Sequence, residues 1–134
     1  MLDLALRHGH HIKQAVVDAG DCGGDQAIRP SPDVIQTLTE TSGTPEEQGQ
    51  RKLALLFPPE WLARNFTYIR SVFEPPREPL DPANIELQEA AIDAWPGISD
   101  QLEQITPPVM IVRGMADILT PPENAQILAA RIPG

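Results

Sequence analysis

Two short apolar runs stand out from a chain that otherwise follows a helical rhythm. Gln14-Ala15-Val16-Val17-Asp18-Ala19 is rich in valine, and Val109-Met110-Ile111-Val112 is continuously apolar. Both have the length and β-branched content of buried strands. The residues between them repeat at three and four positions, which predicts helices. The first helix spans about 31–41. The second runs from Thr44 to about Phe57, with Thr44 and Glu47 spaced as a capping box and Leu53, Leu56 and Phe57 on one face. A third begins at Pro58-Pro59, carries Trp61, Leu62 and Phe66, and extends towards Phe73. A fourth starts at Asp81, where Leu87, Ala90, Ala91, Ala94 and Trp95 fall at the spacing of a buried stripe. A last helix sets Ala125, Leu128, Ala129 and Ile132 on one face before Pro133-Gly134. The chain opens on the tail of a helix, 1–8, with Gly9 as its stop.

Proline sharpens these boundaries. The 15 prolines are not scattered. Ser31-Pro32, Thr44-Pro45, Asp81-Pro82 and Thr120-Pro121 each pair a capping residue with a proline suited to the first helical position. At Thr120, Glu123 completes a capping-box spacing. Gly20 to Pro30 reads as loop, broken at Gly23-Gly24, and Glu74 to Pro79 reads as a turn or extended linker. Both are candidate hinges.

Composition narrows the function classes. A length of 134 residues suits one domain that buries roughly two-thirds of its surface. No apolar run exceeds five residues, so no membrane span is expected. Met1 to Arg7 does not read as a secretory signal. A net charge of −9, without clusters of Lys and Arg, argues against nucleic-acid binding. The single cysteine, Cys22, excludes an internal disulfide and any multi-thiolate zinc site, and makes a reducing cytoplasm the expected location.

The chemistry concentrates after the second strand. Gly114-Met115-Ala116-Asp117 sets one carboxylate at a strand's carboxyl end, where open α/β sheets place ligands. A loop cap is the plain alternative for such an acid. His8, His10 and His11 cannot all converge on one metal without a further ligand, so a solvated corner is expected. Cys22 has no basic neighbour in sequence to activate it. Asp18, Asp21 and Asp25 do not keep calcium-loop spacing. Trp61, Phe66, Tyr68, Phe73 and Trp95 suit the core of a helical layer better than an acyl pocket.

The block from Val109 to Gly134, VMIVRGMADILTPPENAQILAARIPG, resembles the penultimate strand, acid loop and following helix of α/β-hydrolase-fold enzymes. In that superfamily a Gly-x-x-Asp after the strand carries the acid of a Ser–Asp–His triad, and Asp117 matches it. Leu4-Ala5-Leu6-Arg7-His8 and residues 12–19 are similar to the helix behind the nucleophile and the next strand. The helical region between, with Pro30-Ser31-Pro32-Asp33-Val34 and Phe57-Pro58-Pro59-Glu60-Trp61-Leu62, resembles the inserted lid of lipase- and esterase-like members.

The resemblance implies an α/β fold of two parallel core strands with a large helical lid, mostly helical overall: 1–20 core, 21–104 lid, 105–134 core. It also implies a small ester-like substrate, and no cofactor, for the complete enzyme. The family nucleophile sits in G-x-S-x-G, and none of Ser31, Ser42, Ser71 and Ser99 does. The family histidine follows the acid beyond one more strand, whereas the histidines here lie far upstream. A partial hydrolase, inactive in isolation, is the expectation. A helical interaction module derived from a lid is the alternative. In either case two strands with open outer edges favour self-association.

Overall fold

The computed structural model describes residues 1–72 and 81–134. Phe73 and the expected turn at 74–79 lie outside the described residues. In chain order the elements are α1 (Leu2–His8), β1 (Ala15–Asp18), α2 (Pro32–Thr39), α3 (Pro45–Leu56), α4 (Pro59–Val72), α5 (Pro82–Ala94), β2 (Val109–Val112) and α6 (Glu123–Arg131). Short 3₁₀ turns cover Gly9–His11, Gly24–Gln26 and Ser99–Gln104. The chain divides into two compact units: Met1–Arg29 with Ala91–Gly134, and Pro30–Ala90.

In the first unit β1 and β2 pair in parallel, with Ala15 opposite Val109, Val16 opposite Met110, Val17 opposite Ile111 and Asp18 opposite Val112. The ladder continues beyond both ends, since the Ala15 amide donates to the Pro108 carbonyl and the Ala19 amide to that of Val112. Strand geometry sends alternate side chains to opposite faces. Ala15 and Val17 therefore enter the core with Leu2 and Ala5 of α1, Ile98, Leu102 and Ile105 around the 3₁₀ turn, and Leu128 and Ile132 at α6. Val16 and Met110 stand on the other face, 54% and 63% exposed.

The two runs read as buried strands are therefore covered on one face only. The helices of this unit cover one face of the sheet, so β2 is half-buried at Val109 and Ile111 and open at Met110 and Val112. Burying one face of a four-residue strand removes only about half the apolar area that a central strand would lose, at roughly 25 cal/mol per Å².

The second unit is helical. At the start of α3 the capping box forms: Thr44 Oγ1 accepts from the Glu47 amide and Glu47 Oε2 from the Thr44 amide. These bonds satisfy two amides at the helix end that have no intrahelical carbonyl. One turn later Gln48 is buried, its Nε2 donating to the carbonyls of Thr41 and Gly43 in the loop joining α2 and α3. At the start of α4 the Phe57 and Trp61 rings stack 4.8 Å apart.

Two packing expectations fail. No residue of α5 is buried, and Leu87 is 69% exposed, so the predicted stripe lies in the open. Three of its five members are alanines, which present little area for a neighbour to cover. Nor, among the described residues, do the aromatics of the helical region form a core: Trp61, Phe66, Tyr68 and Trp95 are all exposed. Helical spacing collects side chains on one face, but it does not supply the surface that covers them.

Candidate functional site

Residues 113–122 connect β2 to α6 and carry Asp117. Its Oδ1 accepts two backbone hydrogen bonds, from Leu119 at 2.9 Å and Thr120 at 2.8 Å. A carboxylate that bonds amides two and three positions ahead closes a tight turn on itself and holds its own orientation. Among the described residues Oδ2 has no hydrogen-bond partner. At the end of the loop the Arg113 guanidinium donates to the Pro122 carbonyl, tying the strand exit to the helix entry.

Gly114 is not demanded by space. A methyl group there would meet the Asp117 β-carbon at 3.5 Å, ordinary van der Waals contact. The expected capping box at Thr120 does not form. Pro122 holds the N-cap position of α6 without a side-chain bond, and helix begins at Glu123. Thr120 lies two residues too early to cap it, and its amide is already held by Asp117.

The remaining candidates are dispersed. His8 ends α1, while His10 and His11 sit in the following turn with their rings 3.9 Å apart. All three are exposed. Among the described residues no group of three metal-ligating side chains comes together, and no hydrogen bond joins Asp117 to a histidine or a serine. Ser71 donates to the Tyr68 carbonyl, and Ser99 to Asp100.

Cys22 is 1% exposed, and burial pushes its thiol above the ordinary range. A buried neutral thiol is a poor nucleophile. Asp21 spends Oδ1 on the Gly23 amide, at 2.7 Å. At the carboxyl end of β1 a cavity of about 330 Å³ opens between the start of α1 and Trp95, lined in part by Val16, Asp18 and Asp21. Asp117 is not among its walls.

One polar residue escaped the sequence reading. Asn124, in the first turn of α6, is 1% exposed and bonds both the amide and the carbonyl of Ile28. A polar residue in a helix's first turn is ordinary, and nothing in the local pattern marks this one as buried.

No family model matches the chain. It is 32% identical, over 98% of its length, to the protein described as "Putative carbamate hydrolase RutD" in two strains of Caulobacter vibrioides. It spans 49% of those relatives. The crystal structure of the enol-lactonase from Burkholderia xenovorans LB400 matches with a TM-score of 0.67 at 21% identity, over 99% of this chain and 49% of that one. Among the described residues no helix is long and apolar enough to cross a membrane. With β1 and β2 parallel and adjacent, and with these likenesses over nearly all its length, the chain has the α/β-hydrolase fold and covers about half the length of the relatives it matches.

Proposed function

We propose that this chain is the acid-bearing part of an α/β-hydrolase. In this reading Asp117 is the carboxylate that orients a catalytic histidine, and the helical residues between the two strands are the lid. The observation that carries it is the position of Asp117 on the loop leaving the carboxyl end of a parallel strand, its carboxylate held by two amides and Oδ2 uncommitted among the described residues. In a Ser–His–Asp system the acid holds the imidazole in the correct tautomer and stabilises the imidazolium formed during attack. A carboxylate clamped through one oxygen is suited to receive the imidazole N–H on the other.

The substrate class follows the relatives' names. A carbamate and an enol-lactone both present a carbonyl carbon bonded to a heteroatom leaving group, the bond that acyl transfer breaks. A small molecule of this ester-like kind is the proposed substrate, cleaved without a cofactor.

Residues 1–134 hold no serine or histidine placed against Asp117 among the described residues, so the chain by itself is proposed to lack acyl-transfer activity. Incubation with a short-chain nitrophenyl ester tests this. Hydrolysis at the buffer rate, the same for Asp117→Asn, is the expected result. Turnover that Asp117→Asn abolishes would overturn the inactivity and place a complete catalytic set inside this chain.

Self-association belongs to the same proposal. Among the described residues the two-stranded sheet has free outer edges and one open face, and Val16 and Met110 lie side by side on that face. Unpaired strand edges recruit further strands. Sedimentation at tens of micromolar is expected to show species larger than the monomer, and a clean monomer would exclude it.

A further inference from the structure

We propose that Cys22–Gly24 and Trp95–Ile98 form a closed clasp that ties together the two roots of the intervening segment, and that its opening is a local event distinct from global unfolding. The two stretches cross at backbone distance. The Ile98 amide donates to the Cys22 carbonyl at 2.8 Å. Gly23, Gly24 and Gly97 all have φ between +60° and +75°, at +66°, +63° and +74°, a region that L side chains rarely enter.

Space is as restrictive as the dihedrals. A β-carbon on Gly97 would overlap the Gly23 carbonyl, and one on Gly24 would overlap the Pro96 carbonyl. The Trp95 ring lies where a Gly23 side chain would go. Asp21 Oδ1 braces the turn by accepting from the Gly23 amide. On the core side Cys22 and Ile98 are 1% and 3% exposed.

The consequence concerns movement. Gly20 to Pro30 is glycine-rich and reads as a hinge by composition, yet its glycines are spent on close packing. The clasp keeps the two ends of the segment 25–94 at a fixed separation. Motion of that segment has to arise beyond the clasp, or with the clasp open.

The lone cysteine is a native reporter of that opening, because its buried, neutral thiol reacts only when exposed. In the full chain, labelling by dithiobis(nitrobenzoate) is expected to be at least about 100-fold slower than in the urea-unfolded chain, with a weaker urea dependence than global unfolding. Gly97→Ala, which forces a methyl group against a backbone carbonyl, is expected to raise the rate about tenfold or more. Trp95→Ala removes the ring without backbone strain and is expected to raise it several-fold, leaving the far-ultraviolet circular dichroism unchanged. Gly114→Ala, with only ordinary contacts, is the control and keeps the wild-type rate.

If Gly97→Ala does not fold, Trp95→Ala decides. The proposal is overturned if Cys22 in the native chain labels within tenfold of the unfolded rate. It is equally overturned if the folded variants label at the wild-type rate, or if labelling in every variant carries the full urea dependence of global unfolding.

Discussion

Asn124 and Ile28, 96 positions apart, hold each other through two hydrogen bonds of 2.8 Å: the Ile28 amide donates to Asn124 Oδ1, and Asn124 Nδ2 donates back to the Ile28 carbonyl. By using one N–H and its carbonyl oxygen, the side-chain amide imitates a strand neighbour here. It docks the loop after β1 onto the first turn of α6. Asn124 is almost wholly buried, so its polar atoms are satisfied by this one partner.

Replacing Asn124 by Ala leaves both Ile28 groups and removes both their partners. Ile28 is itself partly exposed, so water can take up part of what Asn124 supplies, and a loss of roughly 1–3 kcal/mol is expected from urea denaturation midpoints. Asn124→Asp keeps the acceptor but sets an oxygen against the Ile28 carbonyl. It is expected to fall between wild type and Asn124→Ala at acid pH, where the added carboxyl is protonated and donates, and to lose stability as it ionises.

Asp117 separates a structural role from a chemical one. Asp117→Ala loses both amide contacts and is expected to cost about 1–2 kcal/mol. Asp117→Asn retains an oxygen that accepts the same bonds, and is expected to melt within about 0.5 kcal/mol of wild type. Thermal denaturation of the two variants checks this. A large loss in Asp117→Asn would mean that the ionised carboxylate, not merely an acceptor, holds the loop.

Glu47 carries a pH dependence of definite sign. Hydrogen bonds from Thr44, the backbone amide first, hold its carboxyl below the ordinary value of 4.5. A depressed folded value means that the ionised form stabilises the fold. That contribution is complete above the ordinary value and is lost as pH falls through the lower, folded one. Helical content of α3 is therefore expected to fray in acid below about pH 4.5. Glu47→Gln is expected to flatten that part of the circular-dichroism titration, since its amide oxygen accepts without titrating. An unchanged titration would rule out the carboxylate as its source.

Leu128 and Leu87 test whether burial or helical spacing sets the cost of truncation. Leu128 is 0% exposed, and Leu128→Ala is expected to cost about 2–5 kcal/mol. Leu87 lies on an equally regular apolar stripe but in the open, and Leu87→Ala is expected to change stability by no more than about 0.5 kcal/mol. Equal losses in urea melts would contradict the exposed placement of α5.

What the chain alone determined is what neighbouring residues decide among themselves. Proline and a capping hydroxyl act within one helical turn, so the Thr44–Glu47 box and the start of α3 were legible, as were the two strands to within a residue or two. The loop that carries Asp117 was legible because Gly114 to Asp117 directly follows β2, and the fold that the resemblance implied is the one found over the whole chain.

Tertiary structure decided which of these faces met another. It covered Val17 and left Val16 open, exposed the stripe on α5, and set Thr120 aside from the helix that it was expected to cap. It also brought Asn124 to Ile28 and three glycines into one crossing, pairings between residues 70 or more positions apart. Burial and long-range hydrogen bonds depend on which surfaces the folded chain sets against each other, and local periodicity carries no record of that choice.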